Sequence, residues 1–160
     1  MVMNTYKATM GRSLATTTWI LSASLVTGSA IGIIFGFWPI AIPLLAVVVC
    51  IAPFSIKSYS ITSNAILIHR LFWTTRLEIT GLNSVYADPN SMRKSIRTGG
   101  ADGLFVTLGY YTNKTLGDYH AYVTDPNNAV VLKLPFETVV LSPSEPELFA
   151  NELRKQCVCA

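Results

Sequence analysis

The chain has 160 residues, 51% of them hydrophobic and 13% charged, with a net charge of +3 at pH 7. A charge so small and so mixed excludes a nucleic-acid-binding protein, which needs a basic stripe or patch. The three cysteines do not form the spaced, even set of a disulfide framework, and no cluster has metal-ligand spacing, so no cofactor is expected.

These averages conceal two unlike pieces. Residues 13–56 contain no Asp, Glu, Lys or Arg, while all nine acids and ten of the twelve Lys/Arg lie from Lys57 onward. One helix needs about 20 apolar residues to cross a hydrocarbon core of roughly 30 Å, so the uncharged run is long enough for two crossings. Gly36-Phe37-Trp38-Pro39 divides it: a glycine where a helix can end, aromatic residues suited to the interface, and a proline where a helix can begin. The expected organisation is a short arm over 1–15, a two-helix membrane hairpin over 16–57 (Thr16–Gly36 and Pro39–Lys57), and a folded domain over 58–160. Gly28-Ser29-Ala30 loosely resembles a signal-peptidase site, but the apolar sequence continues well past it, which favours the hairpin over a cleaved signal.

Lys7 and Arg12 precede the hairpin, Lys57, Arg70 and Arg76 follow it, and its turn is uncharged. Positive charge marks the cytoplasmic side, so both termini and the domain are expected on the cytoplasmic face of a bacterial inner membrane, with Trp38 anchoring the turn at the opposite interface. Ser24, Gly28, Gly32 and Gly36 recur every four residues as a small-residue stripe that permits close helix packing. The stripe suits the second helix, where Ala46 and Cys50 are small, or alternatively a second copy. Pro43 and Pro53 would kink the second helix, and without an ionisable residue in the span the hairpin reads as an anchor and not a conduit.

From Tyr59 the pattern changes to short segments of period two, the strand signal. Strands are predicted at Tyr59–Thr62, Ala65–Arg70, Arg76–Thr80, Asn83–Ala87, Leu104–Tyr111, Tyr119–Thr124 and Ala129–Leu134, with Thr138–Leu141 extended. Asp88-Pro89-Asn90, Asn113-Lys114 and Asp125-Pro126-Asn127-Asn128 supply turns. One helix closes the chain. Ser142 with Glu145 and Ser144 with Glu147 form two overlapping capping boxes, and Leu148, Phe149 and Leu153 give its buried stripe.

About seven antiparallel strands and a C-terminal helix is the order of a pleckstrin-homology-like (PH-like) domain. The segments Tyr59-Ser60-Ile61-Thr62, Leu67-Ile68-His69-Arg70, Ser95-Ile96-Arg97-Thr98-Gly99-Gly100, Gly103-Leu104-Phe105, Leu116-Gly117, Tyr122-Val123-Thr124 and Leu141-Ser142-Pro143, in that order, resemble a family of bacterial PH-domain proteins. The resemblance implies a short hydrophobic hairpin ahead of an α+β, mostly β, bent antiparallel sheet capped by the last helix. It implies little about activity.

Three groups of residues are candidates for contacts. Arg93, Lys94 and Arg97 flank the glycine-rich stretch from Ser95 to Gly103, whose amides could cradle an anion such as a lipid headgroup; the alternative is a long strand-to-strand loop. Leu71-Phe72-Trp73 sits at a hairpin tip between basic residues, where Phe72 and Trp73 either enter the membrane interface or pack in the core. His69 and His120 have no nucleophile or ligand at a recognisable spacing, so an enzyme is not expected. The composition and pattern point to a membrane-anchored module binding another protein or itself, with anionic lipid as the alternative ligand.

Overall fold

A computed structural model describes residues 4–51, 55–102 and 107–158. The order is β1 (Asn4–Lys7), α1 (Arg12–Ile34), α2 (Trp38–Ile51), β2 (Ile56–Thr62), β3 (Ala65–Arg70), β4 (Thr74–Glu78), β5 (Ser84–Ala87), β6 (Ile96–Asp102), β7 (Thr107–Asn113), β8 (Gly117–Val123), β9 (Val130–Lys133), β10 (Thr138–Leu141) and α3 (Pro146–Val158). Pro53, Gly103-Leu104-Phe105 and Cys159 lie outside the described residues.

The uncharged run folds as a helical hairpin whose first helix stops by a glycine mechanism. Gly36 takes φ +81, and the amides of Phe37 and Gly36 reach back to the carbonyls of Gly32 (2.7 Å) and Ile33 (3.2 Å). That satisfies the carbonyls a helix end leaves open, at a backbone angle that strains any residue with a Cβ. In α1 the hydroxyls of Thr16, Ser24, Thr27 and Ser29 donate to carbonyls four residues back, so each is satisfied inside the helix. Among the described residues one helix, Leu14–Ile34, is long and apolar enough to cross a membrane. The second helix is described over Trp38–Ile51, and Lys57, expected at its end, lies in β2. These 14 residues rise ~21 Å, and the strand pattern has taken over by Ile56.

The arm, to which the sequence assigns no element, holds a strand. β1 pairs antiparallel with β2 (Lys7 opposite Ser58, Asn4 opposite Ile61), making the edge of a four-stranded sheet ordered β1-β2-β3-β4. A six-stranded sheet follows, ordered β5-β9-β10-β8-β7-β6. The described residues thus hold ten strands instead of about seven, and β10 runs parallel to β8, so the sheet is not wholly antiparallel. The added strand β6 arises in the glycine-rich stretch, in place of a long loop. It pairs with β7 through a bulge between Arg97 and Gly99, and Gly100 faces Gly109, where no side chains crowd the ladder.

Alternation fixes both cores. Val130, Leu132, Val139 and Leu141 face the four-stranded sheet and α3, packing with Tyr59, Ile61, Ile66, Ile68, Phe149 and Leu153. Val131, Val140, Ala121 and Val123 point to the other face with Tyr111, Tyr119 and Met92. Strands β9 and β10 are therefore covered on both sides, as their unbroken apolar runs require.

Helix α3 closes the first core with Phe149, Ala150 and Leu153, all fully buried. Leu148, expected in that stripe, is 58% exposed. It lies about 100° around the helix from Phe149, on the flank. The expected capping boxes are also absent from their places. The helix starts at Pro146, with the Glu145 carbonyl accepting from the Phe149 amide, and Ser142 is drawn into the sheet.

Candidate functional site

The arm, the hairpin and the domain meet at one root. The Ala8 amide donates to the Lys57 carbonyl at 2.9 Å, Ala8 bridges Pro143, and the Ser144 amide donates to the Lys7 carbonyl at 2.8 Å. The Gly11 amide then donates to the Thr124 carbonyl at 3.0 Å, while Thr124 Oγ1 donates to the Thr9 carbonyl, also at 3.0 Å. A Cβ on Gly11 would stand 2.9 Å from Asp125 Oδ1, so the arm passes too close for a side chain. Behind this contact the buried Ser142 Oγ accepts from the Thr124 amide (2.8 Å), and the fully buried Tyr59 hydroxyl donates to the Tyr122 carbonyl (2.9 Å). Burial pushes the Tyr59 hydroxyl pKa up to about 12, against hydrogen bonds from Ser142 and Thr124 and the Arg70 charge, which lower it.

A groove of about 660 Å³ separates the edge strand β1 from α3, lined by Asn4, Tyr6, Leu148, Asn151, Glu152, Arg154 and Lys155. Tyr6 and Asn4 both donate to the Glu152 carboxylate, and the Tyr6 ring meets the buried Phe149 edge-on at 5.2 Å. Desolvation, the Glu152 hydrogen bond and the charges of Glu152 and Glu145 push the Tyr6 pKa up to about 12. Arg154 Nε donates to the Val85 carbonyl at 2.9 Å and so joins α3 to the second sheet. The groove combines an edge strand, an exposed leucine and charges of both signs. Sequence reasoning takes Leu148 as core and Arg154 and Lys155 as charges suited to the end of the last helix, and joins none of them to the arm; the β-favouring pair Thr5-Tyr6 is the signal that could have found it.

A ladder of rings joins β3 of the first sheet to β7 and β8 of the second. Tyr110 stacks on His120 (4.4 Å, 14°), His120 leans on Tyr122 (4.4 Å, 42°), and the Arg70 guanidinium lies 5.8 Å from the Tyr122 ring and 5.7 Å from that of Trp73. Burial lowers the Arg70 pKa. His120 is also held below the usual histidine value, first by desolvation and then by Arg70, with Glu137 opposing.

Of the basic trio, Arg93 lines a cleft of about 410 Å³ with Asn90, Ser95, Pro126 and Asn127. Lys94 adopts φ +58 in the preceding turn, and Arg97 is exposed on β6 opposite Tyr111, so only Arg93 reaches the cleft. Trp38 is exposed at the hairpin turn beside Phe35 and Phe37, and Phe72 is exposed at the β3–β4 tip. Within the stripe, a Cβ on Gly32 would meet the Ala41 Cβ at 3.2 Å, whereas one on Gly28 or Gly36 meets nothing within 4 Å and Ser24 is exposed. Thr18 and Ser29 of α1 and Ala41 of α2 are buried, while Ala46 and Cys50 are exposed.

The structure gives His69 partners that spacing does not reveal. Thr5 Oγ1, Ser60 Oγ, His69 and Thr74 Oγ1 form a chain of side-chain hydrogen bonds at 2.9, 2.9 and 3.1 Å, one residue from each strand of the first sheet. Ser60 is buried in mid-strand, and a threonine stands where a serine-histidine-carboxylate triad would place its acid, so this ladder fastens strands.

The family model described as a bacterial PH domain matches residues 57–157. No curated protein and no solved structure matches the chain.

Proposed function

This chain belongs to the bacterial PH domain family, and on that premise we propose that it is a non-enzymatic, membrane-anchored module that holds another protein, or a second copy of itself, in the groove between β1 and α3. The observation that carries this reading is the groove itself. An edge strand offers backbone groups to an extended segment, and Leu148, Glu152, Arg154 and Lys155 beside it offer one apolar and three charged contacts. PH-like domains serve as protein- or lipid-binding modules, and the burial of Ser60, with a threonine and not a carboxylate bonded to the far side of His69, supports a binding role over a hydrolytic one.

Anchoring is supported by Leu14–Ile34 and by the exposed apolar surface of the hairpin, including Trp19, Ile20, Ile34, Phe35, Phe37, Trp38 and Ile40, a patch far beyond what water tolerates on a monomer. Two passes through a bacterial inner membrane, with both termini cytoplasmic, agree with the β1–β2 pairing at the hairpin's root and with the basic residues there. A second reading, an anionic headgroup held at Arg93, is favoured by its cleft lying against the Pro126–Asn127 turn, whose neighbour Asn128 touches Thr9 of the arm.

The test is affinity purification of the full chain from mild detergent with mass spectrometry, wild type against Leu148→Asp. Loss of a co-purifying protein, or of self-association by light scattering, is the expected result. An unchanged set of companions in the folded variant would discard the groove.

A further inference from the structure

The register of β2 fixes which end of the domain lies next to the hairpin. Ile56, the first residue of β2 after α2, pairs with Arg70, the last residue of β3. Leu71, Phe72 and Trp73 therefore lie past the end of β2, at the end of the sheet where the chain arrives from the hairpin. They are 46%, 76% and 40% exposed, three consecutive apolar residues presented at a turn. Trp73 is braced from behind by the Arg70 guanidinium, which also lies against Tyr122, and Arg70 Nε has no hydrogen-bond partner among the described residues.

We propose that the Leu71–Phe72–Trp73 tip is seated in the interfacial layer of the same bilayer that holds α1, with Arg70 at the level of the lipid phosphates. The inference rests on the anchored reading above and goes beyond it: the domain touches the lipid surface with its own face and does not hang from the hairpin alone. Three features select lipid as the occupant. The tip lies at the end of the sheet where the chain arrives from the hairpin, its tryptophan is the residue type that prefers the headgroup boundary, and Arg70 beside it, with Lys57 and Arg76 on the two neighbouring strands, carries positive charge. Anchored twice, the domain has a fixed orientation, which turns the β1–α3 groove to a set height and direction above the membrane.

Tryptophan fluorescence of the full chain in phosphatidylcholine–phosphatidylglycerol vesicles tests this, comparing wild type with Trp73→Phe. The variant reports Trp19 and Trp38 alone, and the difference between the two proteins reports Trp73. Lipids brominated near the carbonyl end of the acyl chain are expected to quench the Trp73 component roughly twice as strongly as lipids brominated near the methyl end, as for a residue at the interface. A Trp73 component untouched by either lipid, while Trp19 and Trp38 are quenched, would overturn the seated tip and leave the anchor standing. If that untouched component is also shielded from aqueous iodide, protein and not lipid covers the tip, and the seated tip is overturned all the same. Trp19 and Trp38 unquenched by any brominated lipid would remove the anchor and the tip together.

Discussion

The Ala8 amide and the Lys57 carbonyl are hydrogen-bonded at 2.9 Å, although the whole apolar hairpin lies between them in sequence. A segment whose two ends are joined in one strand pair must begin and end on the same side of a membrane, so it crosses an even number of times. Reporters fused before Met1 and after Ala160 are expected on the same face, which under the proposed orientation is the cytoplasmic one. A protease-protection assay giving opposite faces would break the link between pairing and topology.

The arm is expected to matter for stability as a strand. A fragment beginning at Ser58 lacks β1, the Tyr6–Phe149 ring contact and the Lys7–Ser144 backbone bond. Rejoining residues 1–10 to residue 55 through a short loop in place of the hairpin should give a higher urea midpoint than the Ser58 fragment. Equal midpoints would make β1 an ornament of the sheet.

Two neighbouring positions in α3 should behave oppositely. Phe149 is fully buried between Tyr6 and Tyr59, so Phe149→Ala should cost about 3–5 kcal/mol in denaturant titration. Leu148 faces the groove, and Leu148→Ala should stay within about 0.5 kcal/mol of wild type. Similar losses at both would mean that the helix lies differently on the sheet.

The glycines of α1 divide in the same way. Gly32→Leu should force α1 and α2 apart, because a Cβ there already meets Ala41 at 3.2 Å, and thermal stability in detergent should fall. Gly28→Leu enters open space within the chain. It should leave the melting temperature in place, and any change in oligomeric state on gel filtration would report a contact with a second copy.

Acid and alkaline limits follow from His120 and Tyr59. A histidine held below its ordinary pKa contributes stability above about pH 6.5, and that stability is lost as pH falls through its folded value. The urea midpoint should therefore drop between pH 7 and pH 5, less steeply in His120→Phe, which keeps the stack. The Tyr59 hydroxyl, raised to about 12, stabilises the fold below about pH 10, a contribution lost as pH rises through its folded value. Tyr59→Phe should flatten the alkaline loss, and unchanged slopes would clear both groups.

How much of this is legible in the sequence depends on whether the signal is local. The uncharged run, the Gly36 break, the strand over Ala65–Arg70 and the last helix are written in composition and period, and the structure holds them close to the expected places. β1 escapes because four polar-looking residues acquire a partner only across the hairpin, and β6 because two glycines weaken the strand signal while β7 supplies the pairing. Ser142 has the look of a helix cap and becomes a sheet fastener, since serine offers its oxygen to any nearby amide and the end of β8 reaches it first. The groove and the ring ladder join elements far apart in sequence, so their residues carry no shared local mark.

The strand pair at the hairpin's root also has a consequence for order of assembly. β1 is made first but cannot find β2 until residues 8–57 have doubled back, and loop closure over that span is an entropic cost that a formed hairpin largely removes. Until then the β2 edge stands open, with Tyr59 and Ile61 in a strand that lacks its neighbour. On the anchored reading, completion of the four-stranded sheet waits on insertion of the hairpin, and a chain that fails to insert is left with an unpaired edge for chaperones and proteases to recognise.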